Sequence, residues 1–338
     1  MRKWVVILLF TAVCGCETIV DLEVPGGYQS RLVVESIFSP DSLWRVEISK
    51  SVPLRDITMR SELMVSDAMI AIFGENNFRD TLRQIDHGVY QTAHGHRPEQ
   101  GSVYRIQVNV DGYPQATASS WAPLLQSELL KVERLAIDDS SATENYRMRF
   151  RLADRTGRNY YRLDLFQVAP FCRDETWGGR RIGDDPRDVR DYSRLTFQSS
   201  SPSFRDYPEA VDDPTVPDFE DLFWSAFFSD QLFEATTKEF EITFEAMVFE
   251  SIRPHFMLVL TAYSDDLFVF ERSVSLQDLY VGLPNFIHTN PVEVHSNVLN
   301  GLGIFAGYTS DTYRFDGDGN EWQEDILGVG AGELEPCQ

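Results

Sequence analysis

Leu32-Val33-Val34-Glu35-Ser36-Ile37-Phe38, the turn Ser39-Pro40-Asp41-Ser42, and then Trp44-Arg45-Val46-Glu47-Ile48-Ser49 carry the clearest strand pattern in the chain. In the second run Trp44, Val46 and Ile48 alternate with Arg45, Glu47 and Ser49. That is the two-residue period of a strand with one face in a core and one in water. Working outward, Ala68 to Phe73 reads as a third strand closed by the turn Gly74-Glu75-Asn76-Asn77. Val103 to Val110 is another, ended by Asp111-Gly112. Short strands separated by turn residues, with no helical period among them, predict a small β-sandwich over residues 31–122. Trp121-Ala122-Pro123 reads as its exit linker.

The pattern continues in a second region, residues 123–338. Tyr146, Met148, Phe150 and Leu152 alternate with Arg147, Arg149 and Arg151. The turn Asp154-Arg155-Thr156-Gly157 then leads into Tyr160 to Val168, and the pair reads as a β-hairpin. Phe240, Ile242, Phe244, Ala246 and Val248 repeat the alternation, and His255 to Tyr263 makes a further strand. One helix is expected after Ser264. Ser264 is placed to cap its free amides, Asp265 and Asp266 suit its positive end, and Leu267, Phe270 and Val274 share a face. The polar residues 183–220, rich in Asp, Ser and Pro, read as a surface excursion. The fold class expected is mostly β, with a β-rich second domain that carries a short helix.

The amino terminus sets the compartment. Arg2 and Lys3 precede an apolar run from Trp4 to Val13, which is too short to span a bilayer and has the form of a secretory signal. Val13-Cys14-Gly15-Cys16 closes it and resembles the bacterial lipoprotein signal. On that likeness residues 1–15 are removed, Cys16 carries the lipid, and residues 16–30 tether the body. The chain is 43% apolar and 12% aromatic, enough to build a core. Its formal charge of −23 becomes −25 once Arg2 and Lys3 are gone. Such a surface repels phosphate backbones, so nucleic acid is not expected as a partner. With Cys14 and Cys16 accounted for, Cys172 and Cys337 remain, a candidate disulfide in an oxidising space. Two unpaired thiols are the alternative, since pairing is not legible in sequence.

A family likeness rests on Leu32-Val33-Val34-Glu35, Val46-Glu47-Ile48-Ser49, Tyr160-Tyr161-Arg162-Leu163 and Phe228-Ser229-Asp230. Its most specific part is late in the chain: Asn290-Pro291-Val292, Ser296-Asn297-Val298 and Asn300-Gly301-Leu302-Gly303-Ile304-Phe305-Ala306-Gly307-Tyr308. With the signal, these segments make the chain resemble the domain-of-unknown-function 4249 family of outer-membrane lipoproteins. That family is similar in cell location to lipoproteins accessory to TonB-dependent transporters. The resemblance implies an immunoglobulin-like first domain, a β-rich second domain and an outer-membrane location. It supplies no catalytic residue.

The chemistry-bearing motifs are few. Asp316, Asp318 and Asn320 stand at alternate positions, as oxygen ligands do around calcium. Glu321 replaces the loop glycine of an EF-hand and Leu327 its bidentate glutamate, so a polar turn is the competing reading and calcium the one cofactor to consider. His94-Gly95-His96 has the spacing of zinc or copper ligands, but it lies where a loop joins two strands and is expected to be a solvated turn. The same discount applies to His288 and His295, and nothing in sequence brings His87 to that pair. Phe223, Trp224, Phe227 and Phe228 beside Asp218, Glu220 and Asp221 offer a docking patch, or an amphipathic helical element, given the spacing of Phe219, Phe223 and Phe227. No nucleophile elbow, zinc-protease helix or phosphate-cradling loop is present, and 53 carboxylates offer pairs that mean nothing without geometry. The expectation is a non-catalytic binding or accessory lipoprotein, working with a TonB-dependent transporter in uptake of a peptide or glycan. An envelope hydrolase with a carboxylate site, or a structural or adhesive surface protein, are the alternatives.

Overall fold

The computed structural model describes residues 28–53, 58–135, 143–172, 190–205, 222–248, 254–282 and 293–321. The first third supplies β1 (Leu32–Phe38), β2 (Arg45–Lys50), a single helical turn α1 (Arg60–Leu63), β3 (Met69–Phe73), β4 (Arg79–Asp86), β5 (Val89–Thr92), β6 (Val103–Asn109) and β7 (Ala116–Trp121). Then come β8 (Ser127–Arg134), β9 (Thr143–Ala153), β10 (Tyr160–Cys172), β11 (Arg190–Arg194), β12 (Phe197–Gln198), β13 (Leu222–Phe223) and β14 (Ser225–Ser229). The chain finishes with β15 (Thr237–Met247), β16 (His255–Tyr263), the helix α2 (Asp265–Gly282) and β17 (Leu302–Asp316). The protein is mostly β, as its alternations predict.

Two sheets result. The larger runs β11-β10-β16-β17-β1-β2-β5-β4-β3-β6-β7, with β14 beside β10; the smaller runs β13-β12-β15-β9-β8. Trp44 is fully buried, 4.7 Å from the Phe38 ring and 4.8 Å from that of Tyr104. The first strands curl around this centre until Thr117 of β7 and Leu299 exchange both backbone bonds, at 3.1 and 2.8 Å. Phe305 of β17 completes the cluster, 4.8 Å from Phe38. A second core lies between the sheets, where Phe150, Phe240, Phe204 and Phe228 meet Tyr161, Leu163 and Leu165.

β17 joins the two cores. It pairs parallel with β1 from Val33↔Leu302 to Phe38↔Gly307, and antiparallel with β16 from Tyr263↔Tyr308 to His255↔Asp316. Gly303 makes the parallel contact possible: its φ is +104°, and a Cβ there would stand 2.2 Å from the Val34 carbonyl oxygen. The glycine-rich segment carrying the family likeness is therefore architectural. Asn297 works with it, accepting from the Phe305 amide at 3.0 Å and donating to the Phe305 carbonyl at 2.8 Å.

Three local expectations change. β9 and β10 are not a hairpin. β9 pairs with β8 and β15 in the small sheet, β10 with β14, β16 and β11 in the large one. Tyr146, Met148, Phe150 and Leu152 of β9 and Tyr161, Leu163 and Leu165 of β10 belong to one core, so placing the strands in opposed sheets buries these apolar side chains against each other. The turn at Asp154–Gly157 is a corner, held by the Tyr161 hydroxyl donating to Asp154 at 2.6 Å. Second, the polar stretch is partly woven into the fold: residues 190–205 form β11, β12 and a 3-10 turn, burying Phe197 and Phe204 completely. Third, Phe223 and Phe227 lie on strands, not a helix. The helix after Ser264 is present, with Leu267 and Phe268 buried. The Ser264 hydroxyl, however, accepts from the Gly307 amide at 3.3 Å, tying the helix start to β17.

Candidate functional site

An acid at an inward strand position is the feature from which the site grows. Along β4 the buried positions are Asp80 and Leu82, so Asp80 takes a core-facing place that the alternation reserves for an apolar side chain. β5 pairs antiparallel with β4, Leu82 opposite Thr92, and the ladder continues as the Ala93 amide donates to the Thr81 carbonyl at 3.3 Å. The register thereby carries the chain leaving β5 back over Asp80. Gly95, at φ +73°, turns it so that both flanking histidines face the same carboxylate.

The resulting geometry is compact. Oδ1 of Asp80 accepts from the Thr81 amide at 2.8 Å and lies 3.0 Å from Nδ1 of His94. Oδ2 accepts from the Thr92 hydroxyl and lies 3.1 Å from Nδ1 of His96. The Thr92 oxygen in turn accepts from the His94 and His96 amides at 3.2 and 3.4 Å, so one hydroxyl orients both the acid and the turn. The Asp80 side chain is 0% exposed, while those of His94 and His96 are 63% and 45% exposed. Burial raises the Asp80 pKa, but the hydrogen bonds from Thr92, His94, His96 and the Thr81 amide outweigh it and hold the carboxyl below its usual range. An ionised oxygen pair thus forms the floor of a site rimmed by two accessible imidazoles. Phe78 packs edge-on against His96, ring centres 5.3 Å apart. The histidine turn was visible in sequence as a ligand spacing; Asp80 was not singled out, although an acid in phase with Leu82 was the available signal.

The other candidates fall elsewhere. Cys16 and Cys337 lie outside the described residues; Cys172 closes β10, its backbone paired with Arg190. His288 is likewise outside. His87 bonds Ser66 at 2.8 Å, and His295 bonds Asp266 at 3.0 Å, neither near the histidine turn. Asp316 closes its own turn. Its Oδ1 accepts from the Asp318 and Asn320 amides at 3.0 and 2.8 Å, and the Asn320 side chain adds contacts at 3.3 and 3.1 Å. An ion there would have to displace those donors. The aromatic group is divided: Phe228 is fully buried, Phe223 packs on the second core, and Phe227 lies under the Arg162 guanidinium at 5.0 Å. Trp224, at the crossing from β13 to β14, is 56% exposed. Phe219 and its neighbouring acids are outside the described residues.

One carboxylate pair has the perturbed acidity that a hydrolase would use. Burial pushes the Asp230 carboxyl up to about 6, against the opposing bonds from Asn159, with the charge of Asp154 adding to the rise. Asp230 is 1% exposed, and its Oδ2 takes both the amide and the side-chain nitrogen of Asn159, at 2.9 and 2.8 Å. It pins the β9–β10 corner to the end of β14.

Fold and site together define a two-sheet, mostly β protein with a histidine–carboxylate cluster at the edge of its first core. The chain belongs to the family described as Domain of unknown function (DUF4249), which it matches over residues 17–314. No curated protein matches it. Among solved structures, one titled as manganese lipoxygenase of Gaeumannomyces graminis and partial zonadhesin of Komagataella pastoris aligns over 70% of this chain and 76% of that one. At 12% identity and a TM-score of 0.16 it carries no argument.

Proposed function

We propose that the protein is an outer-membrane lipoprotein, anchored by lipid on Cys16, that works by binding as an accessory to a TonB-dependent transporter in peptide or glycan uptake. The observation that carries this reading is the signal ending in Val13-Cys14-Gly15-Cys16, followed by a family match that begins at residue 17, one residue after the lipid-bearing cysteine. No helix among the described residues is long and apolar enough to cross a membrane. The reading assigns attachment to the lipid and binding to the β body, with the exposed Trp224 as one contact point for a partner.

The test is gentle detergent extraction of tagged protein from its native membrane, with Cys16→Ala as the unanchored control. Recovery of one transporter in near-equal amount, lost in the control, supports the accessory role. A wild-type protein that fractionates in the soluble phase overturns the anchor. An anchored protein that brings no transporter overturns the partnership.

A further inference from the structure

We propose that Asp80, His94 and His96 form a binding site for a divalent transition metal of the zinc or copper type. The donor set is two imidazole nitrogens and one carboxylate, the mixture that borderline cations take in preference to calcium or magnesium. Their ligand atoms all lie within 4.8 Å of one another. Bonds of about 2.0–2.1 Å in a tetrahedron put neighbouring ligand atoms about 3.3 Å apart. Oδ1 of Asp80 lies 3.0 Å from Nδ1 of His94 and Oδ2 lies 3.1 Å from Nδ1 of His96, so small shifts of the imidazoles bring both nitrogens onto an ion held by the carboxylate. The side chains that must move are the exposed ones.

The support around the ligands argues for the same assignment. A buried carboxylate inside a β ladder is costly unless its oxygens are engaged, and here each oxygen has one fixed donor, the Thr81 amide or the Thr92 hydroxyl. Those two donors leave each oxygen with a lone pair toward the histidines. Hydrogen-bonded carboxylates of this kind are how metal sites hold a ligand in place before the ion arrives. The third side of the site is open to solvent, giving an ion an entry path and room for water or a ligand donor as a fourth partner. Bound there, the metal would clip the start of β4 to the turn after β5. The assignment stands independently of the membrane anchor.

The experiment is titration of Zn2+ into the full chain, freed of any histidine tag, by isothermal calorimetry. Co2+ serves as the spectroscopic probe, since four-coordinate Co2+ is intensely coloured. One Zn2+ per chain is expected, with Co2+ developing visible bands that Zn2+ displaces. His94→Ala and His96→Ala should each weaken Zn2+ binding by more than about tenfold, and Thr92→Val, which touches no metal, by about tenfold. His87→Ala, remote from the cluster, should bind as wild type. The histidine variants change exposed side chains, and circular dichroism confirms that they fold. Absence of Zn2+ binding to the wild type, or unaltered binding by the doubly substituted His94→Ala/His96→Ala chain, overturns the proposal and leaves the cluster as an ion pair.

Discussion

Gly303→Ala tests the claim that β17 holds the two cores together. Two costs add. The residue sits at φ +104°, a region that side chains adopt at a cost of about 1–3 kcal/mol. The new Cβ would also stand 2.2 Å from the Val34 carbonyl oxygen, where real contacts are essentially never under 3.0 Å, so the β1–β17 ladder must open by 3.0 − 2.2 = 0.8 Å. The obstacle is backbone inside a six-pair parallel ladder and has no rotamer to escape into. Overpacking of this kind adds about 1–3 kcal/mol, for a total of about 2–6 kcal/mol. In urea unfolding, at a slope of about 3 kcal/mol per molar, the midpoint should fall by about 0.7–2 M. Gly112→Ala is the control. Its φ is +84° with nothing within 4 Å, so it carries the conformational cost alone. If Gly303→Ala proves no more destabilising than Gly112→Ala, the close approach of β17 to β1 does not constrain the fold and the reasoning fails.

Three further outcomes are expected. Asp230, its carboxyl raised from 3.8 to about 6, holds its proton more tightly when folded than when unfolded. Its contribution is therefore full below pH 4 and lost as pH rises through 6. Asp230→Asn, which keeps an acceptor for Asn159, should gain stability relative to wild type between pH 4 and pH 7, measured as urea midpoints; an equal difference at both pH values refutes the assignment. Phe305→Ala should cost about 3–5 kcal/mol in the same assay, because the ring is fully buried beside Phe38 and Trp44. A loss below 1 kcal/mol would mean that the last strand does not complete the first core. Trp224→Ala should change stability by less than about 0.5 kcal/mol, since the ring is largely in water. A loss above about 1 kcal/mol would refute a role for Trp224 on the surface rather than in the fold.

Strand positions and their inward faces were legible in the sequence. Trp44, Val46 and Ile48, Tyr146 to Leu152, and Phe240 to Ala246 bury the side chains that their alternation points inward, and His255 to Tyr263 forms the strand expected of it, because a two-residue period is a local consequence of the pleat. The helix was legible for the same reason: two acids open its first turn and an apolar stripe follows. Partnership was not. Asp154–Gly157 reads identically as a hairpin turn or as a corner between sheets, and only the opposed apolar faces of β9 and β10 select the corner. Phe197 and Phe204 were hidden in a polar stretch because two core aromatics set no period there. Asp80 meets His94 and His96 only through the β4–β5 register, which depends on which strands pair and not on any spacing within the motif. The union of the first strand with the last is likewise a matter of contacts 269 residues apart, from Val33 to Leu302. Local chemistry thus fixes which residues face inward and the class of fold, because the pleat acts over two residues; which faces meet, and with them the cluster of Asp80, His94 and His96, follows from strand pairing between distant segments.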